Sequence, residues 1–521
     1  LETLPALAAR SRAAADDPAV AACAVRIRLP VAASWGALQE LRAAMGTVRA
    51  AGKPLEAYLE DGSLGSYYLA SACDRLTMPP EGTLWTHGIG GTVLFYKGLF
   101  DHLGIVWEGE HAGEYKGAAE PLTRTEASDA LRTSLQAVLD DLFGQVAEDV
   151  AASRGIAPEA AAGALGGGPY AAVEAAAAGL VDAVSYEDAF QEALAARLGR
   201  AVAWDDAYGR AGPDLPDLSS PMAIFALLSR MMQPPVSLPA GTRIAVVRAT
   251  GPIAQAAVDS PLGGGGAITP SDFVPLLRQL REDPSIRAVV LRIDSPGGSV
   301  LASDLLWHEL DRFPADKPVV ASMGGVAASG GYYLACGCDA IVAHPGTITG
   351  SIGVLAYYPQ AAGLMEKIGV GATHVGAGAH ADWFRFDQAM GEAEHDFFRR
   401  MVHDTYRRFV AKAAAARGRT PEQIEAVAQG RIWTGRQALA HGLVDRLGGL
   451  GEAIAEARRR AGIADGEEVR IDEYPRPKSL LDLLSGGAGG TRPRWEESLR
   501  GTALPLPPEV RRFLREAALL S

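Results

Sequence analysis

Apolar positions cluster in short runs that alternate with longer amphipathic stretches. Six segments of the C-terminal half set the pattern. "RIAVVRATGPI" (Arg243 to Ile253) and "AVVLRID" (Ala288 to Asp294) are β-branched runs that predict strands. "SPGGS" (Ser295 to Ser299) predicts a turn, and "LASDLLWHELDRF" a helix. "PVVASM" (Pro318 to Met323) predicts another strand, followed by a glycine-rich turn and a small-residue helix from Ser329. "AIVAHP" predicts a strand again. Continuous apolar strands separated by helices imply parallel pairing with both sheet faces covered, an α/β fold. Longer amphipathic helices are expected around Leu131 to Ser153 and Glu394 to Arg417.

The pattern occurs twice. Tyr67-Tyr68-Leu69-Ala70 returns 265 residues later as Tyr332-Tyr333-Leu334-Ala335, and Cys73-Asp74 as Cys338-Asp339 at the same interval. Gly179-Leu180-Val181-Asp182 returns 263 residues later as Gly442-Leu443-Val444-Asp445. One register held over more than a hundred residues identifies a tandem duplication. The reading divides the chain into an N-terminal repeat (1–200), a Pro-rich linker (201–242), a C-terminal repeat (243–470) and a tail (471–521). The counterpart of the Arg243 strand would precede residue 1, so the first repeat is expected to lack its opening strand, and the chain reads as truncated at the front. The linker carries "PMAIFALLSRMM", too short to span a bilayer, for which domain packing and membrane-surface contact are both open.

Composition narrows the classes. The chain has 521 residues, 48% hydrophobic and 21% charged, with a net charge of −13. A strongly acidic chain is not built around nucleic acid, which needs a basic surface. No apolar run reaches the roughly 18 residues of a membrane span. Of the four cysteines, Cys336 and Cys338 form a lone CxC, too few ligands for a typical zinc site; buried small side chains are the simpler reading.

Candidate chemistry centres on "GGVAASGGYYLACGCDA". Ser329 stands between alanines and glycines at a predicted helix start, where backbone N–H groups are unpaired and negative charge is favoured. Two roles are open on local sequence, a nucleophile and an N-cap. For a nucleophile, the N–H of Gly330 and one from Gly297 or Gly298 are candidate oxyanion donors. No histidine pairs with Ser329 in a motif, and His344, ending a strand before proline, reads as structural. A buried lysine can serve as base if burial lowers its pKa. The first repeat offers Lys116 in "GEYKGAAEPLTRTEAS", and its counterpart 265 residues on is Ala381. The counterpart of Ser329 is Leu64. One repeat keeps the lysine and the other the serine, which suggests a composite site. Glu114 and Glu120 are expected to face away from Lys116, with Glu120 paired to Arg124.

At these residues, "DSPGGS", "GGVAASGGYYLAC", "GTITGSIGV" and "GEYKGAAEPLTRTE", the sequence resembles the long, duplicated members of the S49 family of Ser–Lys proteases. The turn carries Asp294 where the family pattern has asparagine. The resemblance implies two ClpP/crotonase-like domains, Ser329 as nucleophile, Lys116 as general base and Ser351 as the residue orienting the lysine. It also implies oxyanion donors from Gly330 and Gly297–Gly298, and no metal or cofactor. Its implied substrates are remnant signal peptides and other extended apolar peptides, cut at the extracytoplasmic side of the cytoplasmic membrane by a homotetramer. Cleavage of soluble peptides or protein tails, a carboxylate-based acyl-CoA enzyme and a non-catalytic scaffold are the competing readings.

Overall fold

The computed structural model describes residues 4–28, 33–209, 241–256, 266–464 and 466–475. Most of the expected linker, including "PMAIFALLSRMM", and the tail beyond residue 475 lie outside them. Each repeat builds its own mainly parallel sheet. The first orders the strands Cys23–Ile27, Leu55–Leu59, Arg75–Met78 and Ala183–Val184, all parallel. The second runs Ile432–Thr434, Ile348–Gly350, Val319–Ala328, Ile286–Ser295, Arg243–Thr250 and Arg470–Tyr474, with Ala340–Ala343 also on Val319–Ala328. Arg243–Thr250 has no counterpart among the described residues. Arg470–Tyr474 pairs in parallel with Arg243–Thr250, so the second sheet continues past residue 470.

Parallel strands are sandwiched, which is why their sequences are apolar without interruption. Ile244, Val246, Val290, Val320 and Val342 point to one face, covered by Ala453 and Ala457 of the helix Leu450–Arg460. Val247, Leu291, Ile293 and Met323 point to the other, against Leu306, Tyr332 and Phe409. The long helices are Asp129–Arg154 and Glu392–Arg417, each ended by a left-handed glycine, Gly155 or Gly418. Among the described residues no helix is long and apolar enough to cross a membrane.

The two repeats lie within one compact unit. A strand of the first, Val106–Ala112, pairs antiparallel with a strand of the second, Val354–Gln360, from Val354 opposite Ala112 to Gln360 opposite Val106. Arg292 and Glu40 form an ion pair at 2.5 Å, and Arg436 and Asp141 another at 2.8 Å, each joining the repeats. His344 is buried beside Glu40, the structural place expected of it. Cys336 is buried and Cys338 partly so, both as free thiols, and among the described residues no cluster suits a metal ion.

Candidate active site

The strand predicted to stop at Met323 runs on to Ala328. Gly324 and Gly325 are strand residues, not a turn. Their bareness admits neighbours: a Cβ at Gly324 would stand 2.9 Å from Asp294 Oδ2, and one at Gly325 2.1 Å from Ser34 Oγ. Asp294, in the place of the family's asparagine, accepts from the Val326 N–H at 3.1 Å. The strand therefore delivers Ser329 straight onto the helix Gly330–Ala335.

Ser329 makes that junction at φ 53°, a conformation rare for a residue with a side chain. The strain is held by neighbours: its N–H donates to Gly350 O and its carbonyl accepts from Tyr333 N, both at 2.9 Å. Its hydroxyl caps nothing in the helix. The first repeat shows the alternative, because Ser63 there is an ordinary N-cap that accepts from Ser66 N, and Leu64 lies in the helix. The N-cap role open for Ser329 on sequence is thus not the one its side chain takes.

Lys116 reaches Ser329 from the other repeat. The antiparallel pair of strands ends at Ala112 and Val354, which brings the following loop, Gly113 to Gly117, beside Ser351 to Gly353. Lys116 Nζ lies 3.0 Å from Ser329 Oγ, 3.0 Å from Ser351 Oγ and 2.9 Å from the Ser351 carbonyl oxygen. Ser351 is also at positive φ, 52°, which turns both of its oxygens to the lysine. Lys116 is 8% exposed. Burial pushes its pKa down to about 8, with no charged partner to offset it. Glu120 accepts from the Ser128 N–H and hydroxyl at 2.8 and 2.6 Å, with Arg124 Nε 3.8 Å away. Glu114 lines a separate groove with Glu422, Glu425 and Arg431. Ala381, at the lysine's place in the second repeat, is exposed.

The glycine pair divides its labour. Gly297 donates to Ser295 Oγ at 3.2 Å. Gly298 and Gly330 N–H groups have no protein acceptor among the described residues. They are close together, since a Cβ on Gly330 would lie 3.2 Å from Gly298 N. Gly298 sits at φ 151°, and a Cβ there would strike Ile253 O at 2.0 Å, so glycine alone fits. Next to Ser329 and Gly330 a small cavity of about 20 Å³, open to solvent, is lined by Val300, Ser303, Tyr333, Val354, Thr405 and Phe409, with no carboxylate. Two open N–H groups, a strained serine, a buried amine and an apolar pocket are the parts of an acyl-transfer site.

Three residues escaped the sequence reading. Phe409 and Thr405 belong to a helix whose pocket-facing side cannot be told from its core-facing side by periodicity. Gln429 contacts the lysine loop from more than 300 residues away, and only its position before Gly430 hinted at a turn.

The model of "Peptidase family S49" matches residues 47–200 and again 311–464, together more than half of the chain. The chain is 34% identical to "Serine protease SPPA, chloroplastic" of Arabidopsis thaliana over 93% of its length and 70% of that protein. It is 31% identical to "Protease 4" of Salmonella typhi over 98% of its length and 78% of that protein. A solved structure, the 1510-N membrane-bound stomatin-specific protease, superposes on 45% of this chain and 98% of its own with a TM-score of 0.28 and 17% identity.

Proposed function

The chain belongs to peptidase family S49 and is a serine protease; from that premise we propose that it works through a Ser329–Lys116 dyad assembled from its two repeats. The observation that carries this reading is the 3.0 Å approach of a buried, otherwise uncharged-partnered Lys116 Nζ to Ser329 Oγ. Ser329 Oγ attacks the peptide carbonyl carbon while neutral Lys116 accepts the hydroxyl proton. The oxyanion forms against the N–H groups of Gly330 and Gly298; Gly297 supports the turn through Ser295. Lys116 then donates its proton to the leaving amine as the C–N bond breaks. A water gives its proton to the same lysine and adds to the acyl ester; as the bond to Ser329 Oγ breaks, Lys116 returns that proton to Oγ, releasing the acid and restoring the neutral amine and the serine hydroxyl. Ser351 keeps the amine aimed through both of its oxygens. These steps draw on chain residues throughout.

The proposed substrates are extended apolar peptides, with remnant signal peptides at the cytoplasmic membrane as the principal class. The charge-free pocket beside Ser329 supports an apolar residue at the attacked carbonyl. Its position on the extracytoplasmic side and assembly as a homotetramer follow the sequence resemblance and belong to this proposal. The test uses a serine-directed fluorophosphonate followed by peptide mapping, then a peptide panel. Label on Ser329 in the wild type and none in Lys116→Ala supports the dyad. Label elsewhere defeats it. Preference for soluble, charged protein tails over apolar signal-peptide fragments would defeat the substrate assignment while leaving the dyad intact.

A further inference from the structure

Lys116 is held by more than Ser351. The turn 428–431 of the second repeat is driven between the lysine loop and the Ser351 loop. Gln429 stands at its tip at φ 53°, left-handed without being glycine. It is fixed on four sides. Its carbonyl accepts from Tyr115 N at 2.7 Å, and its Oε1 accepts from Glu114 N at 3.1 Å. Its own N–H donates to Tyr406 Oη at 3.2 Å, and its Nε2 donates to Glu425 Oε1. The two residues before Lys116 thus hang from one glutamine of the other repeat.

The rest of the turn closes on the lysine itself. Gly430 packs so tightly that a Cβ there would lie 2.6 Å from Lys116 Cβ. Gly353 on the opposite side would bring a Cβ to 3.0 Å from Lys116 Cδ. Gly430 N donates to Ile352 O at 2.8 Å, and Arg431 O accepts from Ser351 N at 2.7 Å. One short turn therefore binds both the loop that carries the amine and the loop that aims it. In the first repeat the position 263 residues earlier is Gly166, so the repeat that faces no lysine has no side chain there.

Resting on the dyad reading, we propose that Gln429 is a positioning residue for catalysis: it locks the 428–431 turn against Glu114 and Tyr115 so that Lys116 stays aimed and dry. The charged groups on the packed elements are Glu114, Glu120, Glu422, Glu425 and Arg431. None of them shifts the lysine; burial alone does. Loosening the turn admits water, and water restores the amine's affinity for its proton.

The test is the pH dependence of kcat/KM in the full chain for Gln429→Gly and Tyr406→Phe. Gln429→Gly keeps the left-handed backbone available and removes the side-chain bonds to Glu114 and Glu425. Tyr406→Phe removes the acceptor of the Gln429 N–H. The expected result is an acid limb moved upward by about one pH unit in Gln429→Gly, a tenfold loss at pH 7 that vanishes above about pH 9.5. Tyr406→Phe moves the limb the same way by less, and it decides the matter if Gln429→Gly does not fold. A pH-independent loss in folded protein, or an unmoved limb in both variants, overturns the proposal. Activity surviving in Lys116→Ala would instead overturn the dyad, whatever Gln429 does.

Discussion

Lys116 Nζ and Ser329 Oγ stand 3.0 Å apart across 213 residues of chain, one on each copy of a duplicated domain. Their meeting depends on the antiparallel pairing of Val106–Ala112 with Val354–Gln360. Neither copy holds a complete dyad, because Leu64 and Ala381 occupy the matching places.

The first prediction concerns pH. A general base must be neutral, and Lys116 has its pKa pushed down to about 8 by burial. With Lys116 as the base, the neutral form is expected to be a minority of the enzyme at pH 7, on the order of a tenth. The expected kcat/KM rises tenfold per pH unit below about 7.5 and levels above about 8.5, measured with an uncharged-side-chain peptide. A profile flat from pH 6 to 9 would count against a lysine base.

The same burial has a cost in stability. The unfolded lysine holds its proton up to about pH 10.5, the folded one only to about 8. Between those values the unfolded state binds the extra proton, so this group's contribution to stability rises with pH there and is at its worst below 8. Holding the amine in the dry site rather than in water costs on the order of 3 kcal/mol below pH 8. Lys116→Met is therefore expected to be inactive and to melt higher than wild type at pH 7, with the gap closing by pH 10. Thermal unfolding at the two pH values checks both halves; a lower melting temperature at pH 7 would refute the claim of a strained, dry amine.

Much of this was legible in the sequence, for physical reasons. Buried parallel strands must be apolar throughout, so Ala288–Asp294 and Pro318–Met323 announced themselves. Duplication fixed equivalences, the complementary losses at Leu64 and Ala381 suggested a composite site, and the resemblance to the S49 family implied the roles of Lys116 and Ser329. Backbone conformation was not legible. Nothing local says that Ser329 takes φ 53° and so frees its hydroxyl from capping, whereas Ser63 caps. Nor does "SPGG" reveal that Gly297 donates to Ser295 while the Gly298 N–H is left open. The extension of the strand to Ala328 was hidden by Gly324 and Gly325, which favour turns unless a neighbour such as Asp294 or Ser34 needs the space. Contacts such as Gln429 with Glu114 join distant parts of the chain and leave no periodic trace.

The pocket gives a prediction on specificity. Val300 is 42% exposed at its rim and begins the helix Val300–Asp311, where a carboxylate is well tolerated. Val300→Asp is expected to fold normally and to shift kcat/KM by about tenfold toward peptides with lysine or arginine at the attacked carbonyl, relative to leucine. Unchanged selectivity across a peptide panel would mean that this pocket does not receive that side chain.

The most direct measurement of the central claim is hydrolysis of one fluorogenic apolar peptide at pH 8.5 by wild type, Ser329→Ala and Lys116→Ala, with folding checked by circular dichroism. The account predicts turnover by the wild type and a loss of at least a thousandfold in each variant, since neither half of the dyad works alone. Lys116→Ala retaining more than about a tenth of wild-type activity would contradict it, because the base would then have to come from elsewhere.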